Sequence, residues 1–303
     1  MTEPRIARLY LYPDLRRRVE AGRRGFLTTL VTLLRSEGWE VYLRGDTPEE
    51  LREARGRSGY SLVRMIAPPN ANGLTFRRTY FPPFWHIERV AERWNWPVAK
   101  ARFNPATIQP HKAQRFVANM RHRHLAGLAR PTRDGFVLAA LQGRLLERRS
   151  FQTCTPIQML EALLHNEPKR RVHATLHPKE RYGPQEIAAL DRLATSSRFS
   201  YGTGETERLL PACDYVATMN SSVALRGFFL EKPAVLFGRI DFHHIAANVA
   251  DLGLQEAISR APEMRPDYAA FLWWFFRDMA IDDSRPDAPA RIRAALKAGG
   301  WPL

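Results

Sequence analysis

The chain has 303 residues, enough for one large domain or two ordinary ones, and a hydrophobic content of 45% that excludes a disordered protein. Its 46 Lys and Arg against 31 Asp and Glu give a formal charge of +15, nearly all of it arginine, which suits phosphates, carboxylates, nucleic acid or an anionic membrane surface. Two distant cysteines, Cys154 and Cys213, exclude a disulfide framework; no run approaches the roughly 20 apolar residues of a spanning helix, and the amino end lacks a signal-peptide core, so a cytoplasmic chain is expected.

In chain order, "RIARLYLYP" predicts a strand and "LRRRVEAGRRGFLTTLVTLLRSEG" a helical stretch that Gly38 stops. "WEVYLRG" predicts a second strand. "TPEELREAR" predicts a short helix capped by Thr47 with Pro48 at its first position, and "YSLVRMI" a third strand. This βαβαβ rhythm argues for a parallel sheet. From Ala67 to about Pro110 proline, arginine and aromatic residues blur the pattern, and a helix is expected around Trp85 to Trp94. "QPHKAQRFVANMRHRHLAGL" predicts another helix, and "ARPTRDG" reads as a linker. The expected division is residues 1–130, residues 131–270, and terminal helices over 271–303 packing back across the boundary.

The second half alternates cleanly. "GFVLAALQ", "RRVHATLHP", "RFSYGTG", "DYVATMN" and "PAVLFG" are strands, separated by helical "PIQMLEALLHN", "GPQEIAALDRLA", "ETERLLPAC" and "SSVALRGFFLE". Five strands alternating with helices predict a doubly wound α/β domain. Ligands of such sheets bind beyond the carboxyl ends of the strands, which directs attention to the corners there.

At one corner His177-Pro178 ends a strand, followed by Lys179, Glu180 and Arg181, which suit a phosphate or carboxylate; a solvated turn with an incidental histidine is the plain alternative. At another, Asn220-Ser221-Ser222 opens a helix. Serine is a good N-cap, but three residues on stand Ala224 and Leu225, not the Glu or Gln of a capping box. With Arg226 read near the first turn, this helix start offers N–H groups and hydroxyls to an external anion. A third corner, "GRIDFHH", carries Arg239, Asp241, His243 and His244. It reads as a polar loop touching a ligand, because no further ligand completes a metal set. Gln142 and Arg144 end the first strand of this half, and Gly202 to Glu205 follow the third. No dinucleotide fingerprint, P-loop or nucleophile elbow is present.

The order "FVLAALQ", "HATLHP", "DYVATMNSSVALRGFFLEKPAVLFG" resembles the bacterial capsule polysaccharide biosynthesis family, which includes Kdo transferases and is similar to other glycosyltransferases with His-Pro and Ser-Ser motifs. The resemblance spans roughly Gly135 to Asn248. It implies an α/β, GT-B-like fold of two Rossmann-like domains facing a cleft. It also implies a carboxyl-terminal domain that binds a nucleotide-sugar donor, a CMP-sugar by preference. His177 and Pro178 would contact the nucleotide, Ser221 and Ser222 would hold its phosphate, and Gln142 would lie at the cleft. The chain departs from the family at Thr175, where a basic residue is common, and at Arg226, where a glutamate is common.

An inverting transfer needs a base for the acceptor hydroxyl and positive groups for the leaving phosphate. Lys179, Arg181 and Arg226 join the donor set, with Asp241 and His243 on the cleft loop. Asp14, Asp46, His86 and Glu88 are the candidate bases, each with a surface, capping or packing role as the alternative. No cofactor and no metal is required. The expected partners are the nucleotide-sugar donor, a glycan or lipid-linked glycan acceptor and the inner face of a membrane, but not nucleic acid. The alternative function is a non-catalytic GT-B-like component of polysaccharide assembly or export.

Overall fold

A computed structural model describes residues 4–303. Two compact units divide it: one comprises the described residues up to Lys100 together with Phe275–Leu303, the other Ala101–Trp274. The sequence-based boundary lies instead in "ARPTRDG", near residue 130.

The first unit begins with β1 (Ile6–Leu11), α1 (Pro13–Glu20), α2 (Phe26–Ser36), β2 (Glu40–Gly45), α3 (Pro48–Glu53) and β3 (Tyr60–Arg64). Phe26, Leu27, Leu30, Val31, Leu33 and Leu34 place a buried stripe along α2, as an amphipathic helix against a sheet requires. Gly38 follows that helix at φ +80°, the left-handed conformation that stops a helix, and Trp39 N donates back to Leu34 O at 3.0 Å. Thr47 caps α3 by accepting from Glu50 N at 3.3 Å.

The blurred region departs from its reading. Trp85 to Trp94 is not a helix. It holds β5 (Phe84–Glu88) and a single 3-10 turn at Arg93–Asn95, after an unanticipated β4 (Gly73–Arg78). β4 runs parallel to β3, and β5 antiparallel to β4, with Phe76 opposite Ile87 and Arg78 opposite Trp85. Cross-strand pairing of aromatic and arginine side chains outweighs a helical period that prolines had already broken. α4 (Pro97–Lys100) ends this stretch.

The second unit runs through α5 (Pro110–His124), β6 (Phe136–Ala140), α6 (Pro156–Asn166), β7 (Arg171–Leu176), α7 (Pro184–Leu193), β8 (Phe199–Thr203), α8 (Thr206–Leu209), β9 (Tyr215–Thr218), α9 (Ser222–Phe228) and β10 (Ala234–Leu236). It ends with β11 (Ala247–Asn248), α10 (Val249–Leu252), α11 (Leu254–Arg260) and α12 (Tyr268–Trp273). The chain then returns to the first unit as β12 (Ile281–Asp282) and α13 (Ala288–Ala298).

Each unit holds a six-stranded sheet. The first has the order β12-β5-β4-β3-β1-β2, parallel from β4 to β2 and antiparallel at β5 and β12. The second has the order β11-β10-β9-β6-β7-β8, and every neighbouring pair is parallel. Counted from its first strand, that is the order 6-5-4-1-2-3 of the doubly wound dinucleotide-binding fold. Its strands β6, β9 and β10 are buried on both faces, which is why "FVLAA", "YVAT" and "AVL" read as unbroken apolar runs.

Candidate functional site

In the second sheet the chain order reverses between β6 and β9. The crevice at their carboxyl ends is the switch point, where open α/β sheets bind ligands. Gln142, half-buried, follows β6, and Asn220-Ser221-Ser222 follows β9, so these sequence-predicted residues stand at neighbouring strand ends. The two strand ends are tied together: Thr218 Oγ1 donates to Ala140 O at 2.7 Å, and Ser221 N donates to Thr218 Oγ1 at 3.3 Å.

The two serines divide the work. Ser221 is buried and is the N-cap, its Oγ accepting from Val223 N at 3.3 Å. Ser222 is the first helical residue and faces solvent. α9 is only seven residues long and has no acid in its first turn, so it brings N–H groups to the corner but only a short dipole.

His177 is exposed beyond β7. Its main-chain N donates to Tyr182 Oη at 2.9 Å, and its Nδ1 accepts from Lys179 N at 3.2 Å, which leaves Nε2 as the proton-bearing nitrogen of the neutral ring. Pro178, Lys179 and Arg181 are exposed around it. Glu180 is exposed too, and its carboxylate lies over Gly143, where an added Cβ would stand 2.6 Å from its Oε2; the glycine makes room for it. A cavity of about 620 Å³ opens alongside, lined by Arg144, Leu146, Glu147, Arg181, Gly183 and Glu186. Glu186 holds its wall by accepting from both Gly183 N and Leu145 N.

Other predicted residues lie differently. Arg226 stands in the last turn of α9 rather than the first, and its Nη2 donates to Glu207 Oε1 at 2.7 Å and Oε2 at 2.9 Å. A cation suits that end of the helix dipole. Thr175 is buried within the sheet, between Ala140 and Gly202 in register, and carries no charge to the edge. Asp241 is fully buried, so it packs inside its loop rather than lining an open surface. His243 stacks on His244 at 4.4 Å, and His244 Nε2 bonds Ala101 O at 3.0 Å. Among the described residues no group of three or more His, Cys, Asp and Glu is arranged to hold a metal ion. Burial pushes the Cys213 thiol up to about 12 and raises that of Cys154, so neither offers a thiolate.

Sequence reasoning missed Arg149. Its Cζ lies 4.9 Å from the centre of the Phe151 ring, and its Nε and Nη2 are buried without an acceptor among the described residues. Burial lowers its pKa and nearby Arg144 acts in the same direction, only partly offset by the charges of Glu180 and Glu147. In "ERRSFQTC" it looks like one more solvated arginine; only the path of the loop gives it a position.

In the first unit, β1 lies between β2 and β3, and Asp14 follows β1 at that sheet's own carboxyl edge. Asp14 is exposed and paired with Arg17. Asp46 follows β2 and is half-buried. His86 and Glu88 project from the same side of β5; His86 is 5% exposed, with Nδ1 bonded to Glu88 Oε1 at 3.1 Å and the ring 5.0 Å from Trp96. Both border a cavity of about 780 Å³ between β5 and α13. No helix among the described residues is long and apolar enough to cross a membrane.

No family model and no curated protein matches the chain. Solved structures do. The beta Kdo 2,7 transferase of Thermosulfurimonas dismutans KpsC superposes with a TM-score of 0.53 at 11% identity, covering 88% of this chain and 88% of that one. The beta Kdo 2,4 transferase of the same protein gives 0.45 at 13% identity, covering 88% of each chain. The wall teichoic acid polymerase TagF gives 0.27 at 13% identity, over 61% of this chain and 48% of that one. The first is a likeness of fold, and the other two superpose too loosely to carry an argument. The fold is therefore the expected one: two Rossmann-like α/β units of GT-B type.

Proposed function

We propose that the chain is a glycosyltransferase of bacterial surface polysaccharide biosynthesis that draws its sugar from a nucleotide-sugar donor, a CMP-sugar by preference. The observation that carries this reading is the convergence of Gln142 and Ser221-Ser222 on the β6/β9 switch point, under an edge where Arg144, Arg148, Lys179 and Arg181 outnumber Glu147 and Glu180. The likeness in fold to the Thermosulfurimonas dismutans beta Kdo 2,7 transferase supports the same class.

In the proposed reaction the bond from the anomeric carbon to the donor phosphate breaks and the phosphate keeps the electron pair. The acceptor oxygen bonds to that carbon and gives its proton to a base. Ser222, the first N–H groups of α9, Lys179 and Arg181 stabilise the developing phosphate charge. His177 and Pro178 contact the nucleotide. Asp14 and the His86–Glu88 pair are the proposed proton acceptors; Glu88 on Nδ1 orients the imidazole as a carboxylate does in a catalytic triad. The acceptor is a glycan or lipid-linked glycan, and the arginines of α1 offer contact with an anionic membrane surface.

The test is thermal melting with CMP, UDP and GDP. CMP is expected to raise the melting temperature of the wild-type chain, and His177→Ala to weaken that nucleotide's binding by about tenfold or more. No shift with any of the three nucleotides refutes the reading. A non-catalytic role in assembly is the second reading, favoured by Arg226, which stands at the family's glutamate position and is held by Glu207. Sugar release from a CMP-sugar by the purified chain would end it.

A further inference from the structure

The loop after β6 takes an unusual route. By Thr153 it has reached β10, where Thr153 N donates to Phe237 O at 2.8 Å, Arg239 N donates to Phe151 O at 2.8 Å, and Gln152 bridges Gly238. β9 lies between β6 and β10, so the loop crosses the carboxyl end of β9. The crossing is close. A Cβ on Gly238 would stand 3.0 Å from Met219 O and 3.1 Å from Phe151 Cδ2, which sets Phe151 beside the residues leading into Asn220-Ser221.

Arg149 rides on this crossing. Its backbone is fixed from both sides, N donating to Gln152 Oε1 at 2.7 Å and O accepting from Gln152 N at 2.9 Å. Its guanidinium lies over Phe151. The carboxylates nearby, Glu180 and Glu147, act on it through charge without a hydrogen bond, and Glu147 meets Arg144 at 3.5 Å. Two of its nitrogens are consequently out of water with no acceptor among the described residues. Buried guanidinium nitrogens without an acceptor are costly, and native folds rarely retain them without a compensating partner. Its planar fork matches phosphate oxygens in pairs.

We propose that Arg149 grips the phosphate of the nucleotide-sugar donor, turning from Phe151 into the β6/β9 crevice between the His177 loop and Ser222. The proposal rests on the donor-binding reading above and names the main cation of that site. Lys179 and Arg181, exposed, then act as outer charges.

The experiment compares a nucleotide with its nucleoside by calorimetry: CMP against cytidine, with UMP against uridine and GMP against guanosine in parallel. Arg149→Met is expected to weaken the monophosphate by about 10- to 100-fold, the range of a charged hydrogen bond, while changing the nucleoside by less than about twofold. Arg149→Lys, which keeps the charge but loses the fork, falls between. Equal losses for nucleotide and nucleoside would mean that Arg149 only supports the loop, and no loss would mean that it does not meet the phosphate; either result overturns the proposal while the donor reading stands. A wild-type chain that binds no member of the panel overturns both. Circular dichroism checks that each variant is folded, and Arg149→Gln replaces Arg149→Met if the latter is not.

Discussion

The two sheets have the same number of strands but are built differently. The second is parallel throughout and buried on both faces at β6, β9 and β10, with a core of aliphatic side chains such as Val137, Leu160, Val172 and Val235. The first is mixed and leans on aromatic rings: five of the seven tryptophans, Trp39, Trp85, Trp94, Trp96 and Trp301, belong to that unit. Parallel strands need helical crossovers, and crossovers create a switch point. The antiparallel strands β5 and β12 close one side of the first sheet instead, and the cavity there lies against α13. The difference teaches where to seek chemistry: strand order defines the crevice in the second unit, whereas in the first the notable pair, His86 and Glu88, sits on an added antiparallel strand.

The largest test of this contrast is Trp301→Ala. Trp301 is 2% exposed, stacks on Trp39 at 5.3 Å, meets Tyr60 at 5.3 Å and donates from Nε1 to Asn72 O at 3.2 Å. Removing it is expected to cost about 3–5 kcal/mol in denaturant unfolding. Nucleotide protection in the remaining folded protein should persist, because the binding residues belong to the other unit. Loss of both together would show that the units fold as one and would weaken the contrast.

Gly238→Ala probes the second unit at a smaller scale. The added Cβ meets Met219 O at the end of β9 and both the ring and the backbone oxygen of Phe151, so the strand end or the crossing loop must shift. Overpacking of this kind costs about 1–3 kcal/mol. Calorimetry should show nucleotide affinity falling along with stability. Reduced stability with unchanged affinity would separate the crossing loop from the site.

Much of the second unit was legible because parallel strands buried on both faces leave apolar runs bounded by turns. The Ser221-Ser222 corner was legible because the missing capping-box acid is a local feature. The division of labour between the serines was not: it depends on Thr218 tying β9 to β6 across 78 residues. Arg149 was hidden for the same reason, since its place depends on strand order. Arg226 was misplaced because the helix is seven residues long, too short for the fifth to stay near the start. In the first unit, β4 and β5 were hidden by prolines and by aromatic residues that fit either period.

The smallest expected effect concerns another long-range contact. Asp283 lies 257 residues from Phe26, yet its carboxylate accepts from Phe26 N at 2.9 Å, at the start of α2, and from Trp85 Nε1 at 3.1 Å. It thus joins α2 to β5, whose rings stack at 4.7 Å. Burial raises the Asp283 pKa above its ordinary 3.8, and the two hydrogen bonds only partly oppose this. The folded chain therefore holds this proton more tightly than the unfolded chain. The resulting stabilisation is fully present below 3.8 and is lost as pH rises through the folded value. Asp283→Asn keeps an acceptor oxygen but cannot titrate. Melting temperatures across that window should fall with rising pH more in the wild type than in the variant, with the difference levelling off above the window. Parallel curves would mean that the carboxylate is hydrated enough to titrate normally, and that the α2–β5 join depends on ring stacking rather than on Asp283.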